Sequence, residues 1–223
     1  MPPPETVQLL LREIESKDYV TAAHTWRVVL YTRALAEFFG LDRDAIARLS
    51  IAAALHDIGK VETPDAILRK AGPLTPDEFE IIKAHPGAGH ARLLALGETD
   101  PLVLDLVRHH HERLDGLGYP DGLAGDAIPA PARYFSVVDS FDALTSLRPY
   151  RRSIGPEAER NAIRELRDGV GSRYCAECVE AFARLHERGE ISWIGEHYND
   201  RCVLPPFVGE GSARSARRAE RPA

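Results

Sequence analysis

Seven side chains of the kind that bind transition metals are spread along most of this chain, and its fold has to bring them together. They are His24, His56, Asp57, His85, His110, His111 and Asp139. Imidazole and carboxylate groups are typical ligands of Fe, Mn, Co, Ni and Zn, and seven of them exceed the needs of one ion. The pattern therefore predicts an enzyme with a buried site for two metal ions.

The segments that carry these side chains are predicted to be helical. Apolar residues recur at three- and four-residue steps over 7–14, 22–39 and 44–58, and Gly40 stands where a helix C-terminal cap belongs. Thr75-Pro76 is a typical helix start, and His85-Pro86 is expected to end that helix.

Further helices are predicted over 101–109, 131–145, 157–166 and 176–188. No segment shows the convincing alternation of period two that a half-buried strand requires. The predicted fold class is therefore all-α, a helical bundle with the ligands mainly at helix ends or on inward faces.

The adjacent pair His56-Asp57 follows an apolar helix directly. Neighbouring side chains on a helix point about 100° apart, so both members of the pair cannot lie on one apolar stripe. A buried carboxylate is costly unless it is neutralised, and metal coordination is one way to neutralise it. Because Asp57 has two carboxylate oxygens, it can bridge two ions.

Composition limits the function in other ways. The chain has 223 residues and 44% hydrophobic side chains, enough for one catalytic domain. We expect an N-terminal helical extension over 1–19, a catalytic domain over 20–188 and a C-terminal extension over 189–223, with a disordered basic tail from about residue 209.

The net charge of −6 is unevenly distributed. The last thirteen residues hold four arginines against one glutamate, a net charge of +3, so the remainder carries −9. An acidic body argues against binding to a nucleic-acid polymer. The sequence shows no signal peptide and no apolar run of roughly 20 residues, so we expect a cytoplasmic protein that does not enter a membrane.

Three cysteines, Cys175, Cys178 and Cys202, are too few and too clustered for a disulfide framework. This composition fits a reducing compartment. A zinc site made of the Cys175-x-x-Cys178 pair with Cys202 or His186 is a weaker alternative, since a lone CxxC inside a predicted helix is a weak signal.

Several motifs over about residues 20 to 185 resemble the HD-GYP phosphodiesterases, a branch of the HD metal-dependent phosphohydrolase superfamily. The HD signature is His56-Asp57-Ile58-Gly59-Lys60. The GYP signature is His110-His111-Glu112 followed by Asp115-Gly116-Leu117-Gly118-Tyr119-Pro120. The resemblance continues through Phe141-Asp142-Ala143-Leu144-Thr145 and Arg148-Pro149-Tyr150-Arg151.

The resemblance implies an HD-domain bundle that hydrolyses the bacterial second messenger cyclic di-GMP to pGpG, and in some members onward to GMP. By likeness to HD proteins, one ion would be held by His24, His56, Asp57 and Asp139. Asp57 would bridge to a second ion held by His85 and His110. His111 fits the second ion or an additional position, and iron or manganese is the metal expected from the family.

Other residues are expected to act on the substrate. Lys60, three residues after Asp57, is placed to contact the phosphate or to protonate the leaving oxygen. Arg148 and Arg151 suit phosphate or a guanine edge, although a buried ion pair is an alternative for Arg148. The family's Gly118-Tyr119-Pro120 segment is expected to bound the substrate pocket, although Tyr119 can equally be a packing residue. Glu112 and Asp115 are expected to orient histidines or to cap the loop.

Two departures from the family pattern matter. Some members place a glutamate one helical turn before the first histidine and bind three metals, whereas Val20 stands there in this chain, so we expect two. Family members are commonly attached to receiver or sensor domains, and about twenty residues precede the domain here. Regulation is therefore expected through protein partners, a homodimer or the chain ends.

Three alternative functions remain open at this point. One is an HD-type hydrolase of another cyclic or linear nucleotide, such as 3′,3′-cyclic GMP-AMP. Another is a catalytically weak signalling adaptor, although such proteins typically lose ligands that this chain keeps. The last is a di-iron oxygenase, which the phosphate-binding candidates Lys60, Arg148 and Arg151 argue against.

Overall fold

The computed structural model describes residues 3–17, 21–146 and 155–199. Over these ranges the chain is helical and contains no strand, as predicted. The α-helices are α1 (Pro4–Lys17), α2 (Thr21–Phe38), α3 (Arg43–Leu55), α4 (Asp65–Leu68), α5 (Pro76–Lys83), α6 (His85–Ala95), α7 (Pro101–His109), α8 (Ala130–Thr145), α9 (Pro156–Asp168), α10 (Ala176–Glu187) and α11 (Ser192–His197). Two 3₁₀ helices span Ile58–Glu62 and Gly125–Ala127.

Helix α2 forms the centre of the bundle. Its large apolar side chains Trp26, Tyr31 and Leu35 are almost fully buried. It packs against α3 and α8, and α7 in turn packs against both of those helices. The candidate ligands stand where these helices end or face each other, so the core of the bundle also fixes the site.

The predicted helix boundaries follow local capping chemistry. Gly40 adopts φ 70°, and the amides of Gly40 and Leu41 donate to the carbonyls of Glu37 and Ala36, which closes α2 in a Schellman motif. At the start of α5, Thr75 and Glu78 form a reciprocal capping box. These local signals were sufficient to predict both ends.

One helix end was predicted wrongly, and one helix start was missed. Helix α3 ends at Leu55 and not at Ile58, because the chain turns at Asp57 into a 3₁₀ helix. The expected end before His85-Pro86 is correct, since α5 ends at Lys83, but α6 begins directly at His85. Proline is tolerated in the first turn of a helix because its missing N–H has no partner there in any case.

Both ends of the described chain pack on the bundle. In α1, Val7, Leu10, Leu11 and Ile14 are buried. At the other end, the side chains of Ile191, Ile194 and Tyr198 are buried and α11 packs against α2. The predicted domain boundaries at 19 and 188 stay predictions.

Several predicted features lie outside the described residues. They are Val20, Arg148, Arg151, Cys202 and the basic tail. Among the described helices, none combines the length and the apolar content needed to cross a bilayer.

Candidate metal centre

All seven predicted ligands meet in one site between the helix ends. His24 lies on α2 and Asp139 on α8. The other five stand at chain turns: His56 and Asp57 after α3, His85 at the start of α6, and His110 and His111 after α7. His56, Asp57, His85 and His110 are buried, and the remaining three are partly buried.

The first group of ligands is His24, His56, Asp57 and Asp139. The Nε2 atoms of His24 and His56 are 3.3 Å apart, and Asp57 Oδ2 lies 3.3 Å from His56 Nε2. Asp139 Oδ1 lies slightly further out, 3.8 Å from His24 Nε2 and 4.0 Å from His56 Nε2. These four side chains converge on one point.

The second group is His85, His110 and His111. The Nε2 atoms of His85 and His110 are 3.2 Å apart, and one ligand atom from each of the three histidines lies within 4.8 Å of the others. Asp57 Oδ1 is 3.3 Å from His85 Nε2. Asp57 therefore turns one oxygen to each group, the arrangement expected of a bridging carboxylate.

Hydrogen bonds at Nδ1 define which nitrogen faces the site. Nδ1 of His56, His85 and His110 contacts the carbonyl oxygen three residues earlier, at 2.7, 2.7 and 2.9 Å. Because a carbonyl can only accept, Nδ1 carries the proton in each ring, and in a neutral ring the Nε2 lone pair points into the site. Such contacts orient metal-binding histidines.

The electrostatics of the second group also favour metal binding. Burial lowers the pKa of His85 to about 3 and that of His111 to about 4, and it holds the pKa of His110 well below the ordinary value. These rings are therefore neutral near pH 7, the form that coordinates a metal.

The charges are different around Asp57. Burial raises its pKa, but His56 and Lys60 outweigh burial and hold the pKa well below the usual range. Burial lowers the pKa of His56, but the charge and hydrogen bond of Asp57 outweigh it and raise that pKa. Asp57 is therefore ionised, and it attracts positive charge into the first group.

The donor set fits divalent transition-metal ions. Asp57 Oδ1 is buried and lacks a hydrogen-bond donor among the described residues, while histidine lone pairs face it and each other. Separations of 3.2–3.3 Å are those of neighbouring ligands on one ion at bond lengths of about 2.1 Å. A divalent cation would stabilise both the orphaned carboxylate oxygen and the converging lone pairs.

A close crossing of backbones holds the two groups together. A Cβ atom placed on Gly59 would lie 1.9 Å from the carbonyl oxygen of His85 and 2.6 Å from the amide nitrogen of Gly89. Only glycine allows the 3₁₀ helix that follows Asp57 to approach α6 this closely. The Gly59 of the HD signature therefore brings Asp57 and His85 into contact.

A cavity of about 210 Å³ opens beside the first group. Its lining includes His24, Asp57, His111 and Asp139, with Lys60 at one side. Lys60 Nζ donates to Asp57 Oδ2 at 2.7 Å, and its side chain is 33% exposed. Lys17 and Arg27 also line the cavity, where they pair with Asp65 and Asp142, and neither was predicted from the sequence.

The Gly118-Tyr119-Pro120 segment contacts the second group and not this cavity. The ring of Tyr119 lies 4.8 Å from that of His111, and the Tyr119 amide donates to the His111 carbonyl at 3.2 Å. A Cβ on Gly118 would clash with the backbone of residues 111–113. In the described structure these contacts make the segment a support for His111.

Glu112 holds the same loop in place. Its carboxylate accepts hydrogen bonds from the amides of Asp121, Gly122 and Leu123 at 2.7, 3.1 and 3.0 Å. The side chain is buried and each carboxylate oxygen is used. The structure thus gives Glu112 the expected loop-capping contacts, whereas Asp115 accepts from Arg113 and from the Leu117 amide.

Asp142 is a further residue of the site that the sequence did not predict. Asp142 is buried, and its Oδ2 lies 2.8 Å from His24 Nδ1, so it orients His24 as backbone carbonyls orient His56, His85 and His110. A signal was available, because Asp142 lies three residues after Asp139 and so shares its helical face. The sequence alone did not reveal which partner that face meets.

The cysteines lie apart from these ligands. Cys175 precedes α10, and Cys178 is buried within that helix. Burial raises the pKa of the Cys178 thiol, which disfavours the thiolate that a metal would need. Neither residue belongs to the metal-binding groups found in the described part of the chain.

Comparison with known proteins identifies the relatives of this chain. A family model described as "HD domain" matches residues 8–177. The chain is 40% identical over 185 residues to a cyclic di-GMP phosphodiesterase of Thermotoga maritima, covering 82% of this chain and 49% of the relative. It is also 40% identical over 202 residues to the cyclic di-GMP phosphodiesterase response regulator RpfG of Xanthomonas campestris, covering 90% and 52%.

Other matches widen the comparison. The 3′3′-cGAMP-specific phosphodiesterase 1 of Vibrio cholerae is 36% identical over 157 residues, covering 70% of this chain and 36% of the relative. Among solved structures, Bd1817, an HDG"Y"P protein from Bdellovibrio bacteriovorus, has a TM-score of 0.61 at 22% identity, covering 77% of this chain and 53% of that one. The chain spans about half the length of the first two relatives.

Proposed function

The chain belongs to the HD domain family, in its HD-GYP branch, and from that premise we propose that it is a metal-dependent phosphodiesterase that hydrolyses cyclic di-GMP. The observation that carries the proposal is the position of Asp57. Its two oxygens lie 3.3 Å from His56 Nε2 and 3.3 Å from His85 Nε2, between two groups of histidines. A carboxylate so placed suits a site for two metals.

The proposed ligands divide as the two groups do. His24, His56, Asp57 and Asp139 would hold one divalent ion, and His85 and His110 would hold the second together with Asp57. His111 has its ligand atom within 4.8 Å of those of His85 and His110, which supports a place for it at the second ion. Iron or manganese is the metal proposed.

The metals and the protein have separate tasks in the proposed reaction. When bound, two divalent ions supply a water of lowered pKa and neutralise charge on the phosphate. Lys60, beside Asp57 and partly exposed to the cavity, is placed to donate a hydrogen bond to a phosphate oxygen or a proton to the leaving oxygen. Lys17 at the cavity wall, paired with Asp65 at 2.6 Å, is a second ammonium group beside the proposed diester site.

The overall change adds one water across one phosphodiester. The bond between phosphorus and the 3′ oxygen breaks, the phosphate stays on the 5′ oxygen of its guanosine, and the freed 3′ oxygen takes a proton. The product is linear pGpG, and a second hydrolysis would give GMP. Arg148 and Arg151, outside the described residues, are proposed to bind the phosphate or a guanine edge.

The test is turnover of cyclic di-GMP by protein purified without oxygen and reloaded with Fe(II) or Mn(II). Chromatography resolves pGpG from GMP. Asp57→Ala should abolish both metal loading and turnover, because it removes the bridging carboxylate. Asp168→Ala, an exposed aspartate at the end of α9, is the matched control and should behave like the wild type. Retained hydrolysis in Asp57→Ala would refute the two-metal scheme.

A second candidate substrate is 3′,3′-cyclic GMP-AMP. It is favoured by the relative from Vibrio cholerae, which is named a 3′3′-cGAMP-specific phosphodiesterase. The ratio of kcat/KM for the two cyclic dinucleotides decides between them. A metal-loaded protein that turns over neither would instead support another nucleotide or a signalling adaptor. Regulatory partners, a homodimer and a cytoplasmic location are kept as predictions.

A further inference from the structure

A buried arginine connects the first metal group to the C-terminal end of the described chain. Arg27 stands one helical turn after His24 on α2, and its side chain is only 4% exposed. Its guanidinium contacts α8 on one side and the segment 192–199 on the other. The whole of that segment lies beyond the residues that the family model matches, which end at 177.

The contacts of Arg27 are numerous and specific. Its Nε donates to Asp142 Oδ1 through a short hydrogen bond, and its Nη2 donates to Asp142 Oδ2 at 3.0 Å and to Ser146 Oγ at 2.7 Å. Its Nη1 donates to the carbonyl oxygen of Tyr198 at 2.7 Å. The guanidinium fork therefore fixes the carboxylate of Asp142 in its plane.

Asp142 passes this constraint on to the metal group. Its Oδ2 lies 2.8 Å from His24 Nδ1. The His24 ring is held by this carboxylate, whereas three other histidines are held by carbonyls of their own backbone. The orientation of His24 thus depends on a tertiary contact, whereas His56, His85 and His110 are held by local backbone carbonyls.

The segment 192–199 is itself anchored. Tyr198 is buried, and its ring stacks on that of Trp26 with centroids 5.3 Å apart. Ile191 and Ile194 are buried as well. The Tyr198 carbonyl is consequently held at a fixed place next to Arg27.

We propose that Arg27 is a positioning residue through which the segment 192–199 holds Asp142 and His24 and so controls occupancy of the first metal group. The inference rests on the proposed two-metal site. It assigns a function to the C-terminal extension, since the Tyr198 carbonyl completes the set of acceptors that fixes the guanidinium. It also predicts that the two metal groups can be separated by mutation.

The first test is metal binding by Arg27→Lys. Lysine keeps the charge but lacks the planar fork, so it cannot hold both oxygens of Asp142 together with Ser146 and Tyr198. Chelator-treated protein is titrated with Mn(II), free Mn(II) is followed by its electron paramagnetic resonance signal, and bound metal is counted after gel filtration. Circular dichroism checks folding. Arg33→Lys is the matched control, because Arg33 is a half-buried arginine on the same helix that pairs with Glu37.

We expect two bound Mn(II) ions per chain in the wild type and in Arg33→Lys. In Arg27→Lys, we expect the affinity for one of the two ions to be lower. Loss of an outer partner of a ligand typically costs about 10- to 100-fold in metal affinity, and we expect that loss for the first group alone. If folded Arg27→Lys binds two ions as tightly as the wild type, the inference is overturned. A raised KM for the dinucleotide in such a variant would mean that Arg27 acts on the substrate and not on the metal group. Fewer than two ions in the wild type would instead refute the proposed function.

A second variant tests the segment itself and does not depend on Arg27→Lys being folded. Tyr198 has φ −100° and ψ 45°, and a proline at position 199 would disfavour that ψ and rotate the Tyr198 carbonyl away from Arg27. Asn199→Pro should weaken one Mn(II) site, whereas Asn199→Ala, which loses the same side chain without restricting Tyr198, should keep both. Equal Mn(II) binding by the two variants would overturn the role given to the segment.

Discussion

Replacement of Gly59 by alanine should separate the two metal groups. The new Cβ would lie 1.9 Å from the His85 carbonyl oxygen, 2.6 Å from the Gly89 amide nitrogen and 2.8 Å from the His85 carbonyl carbon. All three are backbone atoms, so no side-chain rotation relieves the clash. The 3₁₀ helix and α6 must therefore move apart by more than about 1 Å before the contact reaches an acceptable distance.

The size of this movement decides the outcome. His85 Nε2 lies 3.3 Å from Asp57 Oδ1, and metal–ligand distances tolerate deviations of only about 0.2 Å. A movement of about 1 Å exceeds that tolerance several times over, so the ion that Asp57 and His85 share should be lost. A misplacement of this size costs about 100-fold in rate, and overpacking should lower the free energy of unfolding by about 1–3 kcal/mol.

The assay compares Gly59→Ala with Gly72→Ala. A Cβ on Gly72 would meet no atom within 4 Å, so this variant makes the same chemical change without a clash. Bound metal, thermal unfolding and turnover of cyclic di-GMP are measured well below the unfolding temperature. Full metal content in Gly59→Ala, with turnover within about threefold of Gly72→Ala, would refute the argument that this crossing sets the distance between the groups.

Three further predictions concern other parts of the site. Glu112→Gln should lower the free energy of unfolding by about 1.5–3 kcal/mol, because a neutral amide cannot accept from three backbone amides as the carboxylate does. Thermal unfolding measures this loss of stability. A loss no greater than in the exposed control Glu62→Gln would contradict the prediction. Removal of metal with a chelator should lower the unfolding temperature, since each ion at 100 times its Kd stabilises the folded state by about 2.7 kcal/mol. Calorimetry measures the change in unfolding temperature. An equal change in Asp57→Ala would show that the chelator acts at another place than this site. Arg151→Ala should raise KM for the dinucleotide more than it weakens Mn(II) binding, and loss of bound metal in that variant would show that the residue was misassigned.

Local signals in the sequence predicted most of the helices. The Schellman motif at Gly40 and the capping box at Thr75 depend on residues within one turn of each other, so the sequence alone contains the information. The start of α6 is not evident from the sequence, because His85-Pro86 also suits the end of the preceding helix. Proline ends one helix and can also stand in the first turn of the next, and local sequence does not separate these uses.

The ligands could be predicted because their chemistry is rare and their motifs are specific. The roles of their neighbours could not be predicted in the same way. Gly118 stays a predicted border of the substrate pocket, and the structure adds that its close contacts are with the backbone of residues 111–113. A glycine in the sequence indicates that something comes close to it, but the identity of that neighbour depends on how the chain folds back.

The sequence by itself determined the helical class, the seven candidate ligands and the chemistry that such ligands allow. The tertiary structure decided how the ligands group, because Asp57 and His85 meet only where Gly59 lets two backbones cross. It also decided which partners hold the ligands, since a series of hydrogen bonds joins residues that are far apart in sequence: Tyr198, Arg27, Asp142 and His24. Side-chain chemistry is a property of each residue, whereas distance, burial and hydrogen-bond partners arise only when remote segments pack together.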